Sequence, residues 1–423
     1  MLRLRKVLLI LLYVSFNVCA CSAPSQTPPP PVTPTIVPTA TSTLPPVMSE
    51  TSYVVDGTLG DDGNPGGLDQ PWRTIQKALE TVTGGSTIYV RGGVYPTVTG
   101  GWRFQNSGTQ FQPITLTNYP GEQVVFKNDD TSSGNNYPTF MCLVDGNSPA
   151  GWQTPDAQYI RIIGTDVPAH TLSDGVVSTK GLVFQGIKGN QDAAIRTNGG
   201  CSNWEIAGVD FVETGDAIFT FQGTQDTDGW VVHDNRVYNF YRESGMQFNG
   251  NNNTISNNLI EKVSGELDTP YGCQMLNLLG HGNEVRGNTI SRMGSQSSCY
   301  GVMFEWDYSD NNVIENNTFM DVPVAVVFEG GDGNIIRNNV MTASPGTKSA
   351  AISIQSYDNQ TSWPCDDVPN PQAEDLPFLS NPHNCHSQNN QIYGNRISGF
   401  PAMVSMTPVA DTSNTVHDNT FIP

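Results

Sequence analysis

Seven times after residue 230 the chain repeats one short phrase: an apolar residue, two others, an asparagine, one more residue, and a second apolar residue. The copies are Val232/Asn235/Val237, Ile255/Asn258/Ile260, Val285/Asn288/Ile290, Ile314/Asn317/Phe319, Ile336/Asn339/Met341, Ile392/Asn395/Ile397 and Val416/Asn419/Phe421. Ile206, Val209 and Phe211 keep the spacing without the asparagine. Successive asparagines lie 23, 30, 29, 22, 56 and 24 residues apart. A period in the twenties with occasional insertions marks a solenoid, in which one unit cannot bury its apolar side alone and stacking supplies the core. The 56-residue gap fits one coil carrying a large loop.

Between the phrases lie partner strands that usually end in an aromatic residue and a glycine: Ala217–Gly223, Gly245–Gly250, Val326–Gly330, and Ala351–Gln355 without that ending. They alternate with period two, so one set of side chains faces inward and the other outward. No helical pattern separates the strands, which excludes βαβ units, and the units are too short for propeller blades.

The first residues predict export. Arg3, Arg5 and Lys6 precede Val7 to Val18, an apolar run of 12 residues, whereas a membrane span needs about 20. Ser22 to Met48 holds little but Pro, Thr, Ser and small apolar residues, a composition that buries no core and reads as an extended tether. Acidic residues number 40 against 20 basic ones, a net charge of −20. That balance argues against nucleic acid, whose phosphates need cationic partners. It also disfavours an acidic polysaccharide unless a bound cation such as calcium reverses the local sign. Beyond Cys19 and Cys21 six cysteines remain, with no CxxC pair, which fits disulfides in an oxidising compartment rather than a zinc or redox site.

The Asn phrases and the aromatic-x-Gly strands together resemble the pectate-lyase-like right-handed parallel β-helix superfamily. The resemblance implies an all-β solenoid of three strands per coil over residues 49–423. The recurring Asn would then fall in the turn between the second and third strands. Asn suits that turn because its amide can bond the Asn one coil away while tolerating a left-handed backbone. Trp72, Ile75, Ala78, Leu79 and Val82 share one helical face and are expected to cap the open N-terminal end. Val18-Cys19-Ala20-Cys21 resembles a bacterial lipobox, so residues 1–21 are expected to be a lipoprotein signal with Cys21 lipidated. Residues 22–48 would then hold the domain off a cell-surface or outer membrane as a monomer. Cys273 and Cys299 lie 26 residues apart, one coil, and are expected to pair. Cys365–Cys385 would staple the loop Tyr357–Gln388, leaving Cys142–Cys201.

In this superfamily the substrate groove usually runs along the outer face of the first-strand sheet. Aligning the strands on their aromatic-x-Gly ends gives one outward column of Arg196, Thr220, Gln247, Asn277, Met303, Val327 and Ser353. A second column holds Asn198, Gln222, Asn249, Leu279, Glu305, Glu329 and Gln355. The amides Gln222, Gln247, Asn249, Asn277 and Gln355 are suited to sugar hydroxyls. Glu305 and Glu329 would lie about 4.8 Å apart on adjacent coils. Carboxylates that close either share a proton or hold a cation, and with Asp307 they read equally as a calcium site or as an acid–base pair. The resemblance to polysaccharide lyases makes Arg196 and Arg242 candidate bases, with Tyr271 and Tyr300 placed to stack on a sugar. Two readings stand: a protein that cleaves an acidic or plant-type polysaccharide as lyase or hydrolase, with calcium, or a non-catalytic glycan-binding or adhesion protein.

Overall fold

The computed structural model describes residues 51–129, 137–144, 153–189, 192–221, 227–268, 272–294, 297–305, 309–355, 387–406 and 413–423. All belong to one compact unit, Thr43–Pro423. The signal, the tether, Cys21, Gln222, Tyr271, Asp307, Cys365 and Cys385 lie outside the described residues.

Among the described residues three parallel sheets of twelve, eleven and nine strands run the length of the domain. The chain visits them in fixed rotation, as in Ser244–Asn249 (nine-stranded), Thr254–Ser256 (twelve-stranded), Leu259–Glu261 (eleven-stranded) and Gln274–Leu279 (nine-stranded again). This is the expected β-helix, and crossovers between parallel strands are right-handed as a rule. Each inward column is apolar. Ile206, Val232, Ile255, Val285, Ile314, Ile336 and Ile392 are fully buried on the twelve-stranded sheet. Phe126, Phe184 and Phe211 pack ring on ring on the eleven-stranded sheet, with centroids 5.0 and 5.1 Å apart. At about 1.5–3 kcal/mol per buried side chain, these columns supply most of the driving force for coiling.

The N-terminal cap forms as a helix, Ile75–Thr81, with Thr74 accepting from the Lys77 amide at its start. Trp72, Ile75, Ala78, Leu79 and Val82 are all buried beneath it. A small antiparallel hairpin, Asp166–Thr171 with Val177–Lys180, packs outside the eleven-stranded sheet.

The asparagines form a continuous ladder, each Nδ2 donating to the next Oδ1 at 2.9–3.0 Å from Asn235 through Asn419. Asn258 shows the full set. Its Oδ1 accepts from the Asn235 backbone and side chain, and its Nδ2 donates to Asn288 and to the Val232 carbonyl. The left-handed backbone expected at these asparagines sits one residue earlier, at Asp234, Asn257, Gly287, Asn316, Asn338, Gly394 and Asp418, with φ between 51° and 67°. The ladder residue must aim its amide along the stack, so the preceding residue makes the bend. A second file, Asn253, Asn283, Asn312, Asn334, Asn390 and Asn414, stacks in the turn after the nine-stranded sheet. There each backbone N–H donates to the next side-chain oxygen at 2.8–3.0 Å.

Cys273 and Cys299 are bonded, with Cα atoms 4.3 Å apart, each just before a strand of the nine-stranded sheet. Cys142 and Cys201 are bonded with Cα atoms 6.2 Å apart.

Candidate functional site

The register of the nine-stranded sheet sets which side chains share its outer face. Arg196 pairs with Phe219, Phe219 with Gln247, Gln247 with Asn277, Asn277 with Met303, Met303 with Val327, and Val327 with Ser353. One expected member is corrected. Thr220 pairs with Thr197, is buried inside, and its hydroxyl meets the Asn249 amide at 2.7 Å. Ile218–Phe221 carries two phenylalanines, and aligning on the second shifts the strand by one residue, which swaps the faces.

Phe219 is the hub of a cationic cluster. The Arg242 guanidinium lies 4.3 Å and that of Arg196 5.5 Å from its ring centroid, a contact that suits arginine's planar, delocalised charge. Each arginine is held by an aspartate from the turn preceding a strand of this sheet. Arg196 meets Asp192 at 3.2 Å, and Arg242 meets Asp216 at 3.2 Å and Glu243 at 3.4 Å. Asp216 is fully buried. Burial pushes its carboxyl up to about 7, while Arg242 and the Ser244 amide pull the other way. Burial also raises Asp192, against the pull of Arg196. Each guanidinium is thus fixed beside the Phe219 ring by an acid on its own side of the sheet.

One row along, Asn277 donates to Glu305 at 2.6 Å and to Gln247 at 3.3 Å, and Gln247 donates to Asn249 at 3.2 Å. All three amides are buried, yet Asn277 Oδ1, Asn249 Nδ2 and Arg196 Nε find no partner among the described residues. A buried polar atom left unpaired is costly, and three on one face point to groups that a ligand can satisfy.

Glu305 and Glu329 end neighbouring strands of this sheet, their amides bonding the Leu278 and Phe304 carbonyls. Burial raises the Glu305 carboxyl, the Asn277 hydrogen bond opposes the rise, and Glu243 adds to it. Burial, and then the charge of Glu305, push Glu329 up to about 7. Glu329 is therefore placed to gain or lose a proton near neutral pH, the property asked of a general acid or base. Among the described residues no group of three or more His, Cys, Asp or Glu side chains is placed to hold a metal. Asp307, the third expected calcium ligand, lies outside the described residues.

Tyr300 packs on a small apolar cluster of Met303, Val324 and Val327 outside the main core. Gln355 donates to the Ser353 hydroxyl at 3.0 Å. The residues that the sequence reading missed are Asp192, Asp216 and Phe219. A signal was present in the twin phrases Asp192-Ala193-Ala194-Ile195 and Asp216-Ala217-Ile218, which place an acid just before successive strands.

The chain matches the family model described as Pel9A-like, right-handed β-helix region, over residues 53–265, and a general right-handed β-helix region over residues 193–362. Pectate lyase PEL9 of Emericella nidulans is 38% identical over 87 residues, covering 21% of this chain and 20% of that protein. The uncharacterised protein YwoF of Bacillus subtilis is 26% identical over 151 residues, covering 34% of this chain and 29% of that one. The match thus spans under a third of either relative's length. Among solved structures, a GH136 lacto-N-biosidase from Eubacterium ramulus superposes with a TM-score of 0.53 at 11% identity, over 88% of this chain and 67% of that one. The PL6 family alginate lyase AlyGC does so with 0.50 at 13% identity, over 88% and 51%. At such identities these two share the fold. With half its length matched by that model, and its three stacked parallel sheets in agreement, the chain belongs to the Pel9A-like right-handed β-helix family.

Proposed function

We propose that the outer face of the nine-stranded sheet binds and cleaves a uronate-bearing polysaccharide outside the cytoplasm. The observation that carries this reading is the ordered row from the two guanidiniums on Phe219, through Gln247 and Asn277, to Glu305 and Glu329. A sugar lying over Gln247 and Asn277 has arginine on one side and the carboxyl pair on the other. The arginines take the uronate carboxylate by charge-assisted hydrogen bonds, and the unpartnered amide atoms take hydroxyls. The cleavage suited to that placement is β-elimination. The ionised member of the carboxyl pair accepts the proton from the carbon beside the carboxylate. The released electron pair forms a C=C bond, and the C–O bond to the next sugar breaks. The protonated member supplies the proton to the departing oxygen.

Calcium on Glu305, Asp307 and Glu329 is the alternative relief for this acidic pair, and no step is assigned to it. A second reading is a non-catalytic glycan-binding protein, in which the row of amides and arginines holds the sugar and the carboxyl pair transfers no proton. Incubating the protein with acidic and neutral polysaccharides, with calcium and with a chelator, separates these. Unsaturated ends on uronate polymers support elimination, saturated reducing ends would replace it with hydrolysis, and retention without products would support the binder. The disulfides Cys142–Cys201 and Cys273–Cys299 fit an oxidising compartment. Lipidation of Cys21 is proposed as the anchor, and membrane retention of Cys21→Ser would refute it.

A further inference from the structure

The outer face does not end at the carboxyl pair. A pocket begins on the strands that carry the pair and extends over the next two, lined by Tyr300, Val327, Lys348, Ser353, Gln355 and Ser405. Its floor is unusual for the solvent side of a sheet, because Val324 and Val327 are buried there and packed with Tyr300 where polar residues would ordinarily stand. Its rim is polar, with the Ser353 hydroxyl and Gln355 amide hydrogen-bonded to each other. Lys348 is exposed and forms no ion pair among the described residues. An apolar and aromatic floor, hydroxyl and amide walls and one cation are the chemistry that holds a pyranose ring bearing a carboxylate.

We infer that this pocket is a distal subsite for a second acidic sugar of the same polymer, an inference that rests on the function proposed above. From the strand Ser244–Asn249, which follows Arg242, to Ile352–Ile354, which follows Lys348, there are four inter-strand steps. At about 4.8 Å each they span roughly 19 Å, the length of about four sugar units. Cations thus stand at both ends of a stretch whose middle carries the amides and the carboxyl pair. A dimer reaches one end only, whereas a hexamer reaches both and gains from the second contact without an independent association cost.

Calorimetry with uronate oligomers of two and six units tests this, on the full-length protein and on Lys348→Glu, an exposed position where folding is not at stake. The hexamer should bind the unaltered protein about tenfold or more tighter than the dimer, and Lys348→Glu should remove most of that gain. Equal affinity for both lengths, or a gain untouched by Lys348→Glu, overturns the distal subsite while leaving the proposed function standing. Failure of both oligomers to bind overturns that function and the subsite with it.

Discussion

Asp216, in the turn before one strand of the nine-stranded sheet, and Glu329, just past the end of another, are both pushed up to about 7 by burial, but their main charged neighbours act in opposite directions. At Asp216 burial is opposed by Arg242 at 3.2 Å and by the Ser244 amide. At Glu329 burial is reinforced by a like charge, Glu305. One arrangement fixes a cation in place, and the other stores a proton ready to move. Under the function proposed above, the two clusters divide the work of a groove for acidic sugars, with holding at Phe219 and proton exchange at the carboxyl pair.

The sharpest break in that comparison is to remove each acid in turn. Asp216→Ala leaves Arg242 half-orphaned and the Ser244 amide unpaired, and should cost about 2–3 kcal/mol by urea unfolding at pH 7. Glu329→Gln should do the reverse at high pH. Glu329 stays protonated in the folded chain until about pH 7 but ionises near its ordinary value when unfolded. The folded state therefore binds more protons between those values, and stability falls as pH rises through that window. Glu329→Gln escapes the loss, so it should be about 1–3 kcal/mol more stable than the parent at pH 8 and within about 0.5 kcal/mol of it at pH 4. Equal effects of the two substitutions would erase the distinction. The smallest and most diagnostic shift is in the partners. Carboxyl-carbon NMR should show Glu305→Gln lowering the Glu329 midpoint and Arg242→Leu raising that of Asp216.

How far this was legible in the sequence depends on which residues repeat. Asn258 and its equivalents recur once per coil because a ladder works only when every rung is present, so one residue type announced the turn and the solenoid. The second file was equally available, since Asn253 stands five residues before Asn258, Asn283 before Asn288 and so on through Asn414 and Asn419. The outer face is different. It is under no demand to repeat, and the alignment rested on aromatic-x-Gly endings, of which Phe221-Gln222-Gly223 stands one residue out of register and misplaced Thr220. The Glu305–Glu329 proximity followed from strand spacing alone. The Arg242–Asp216 pair spans 26 residues and joins two turns, and no alternation rule brings two turns together.

The central claim is that the carboxyl pair performs chemistry on a glycan held by the arginines. The most direct test is the pH dependence of uronate-polymer cleavage by the parent and by Glu329→Gln, with polymer binding measured alongside. Parent activity should fall as pH rises past about 7, where Glu329 loses the proton that the departing oxygen needs, and Glu329→Gln should lose about a hundredfold or more in rate while still binding the polymer. Undiminished cleavage by Glu329→Gln, or a folded parent that binds uronate polymers and releases no product at any pH, would contradict the account.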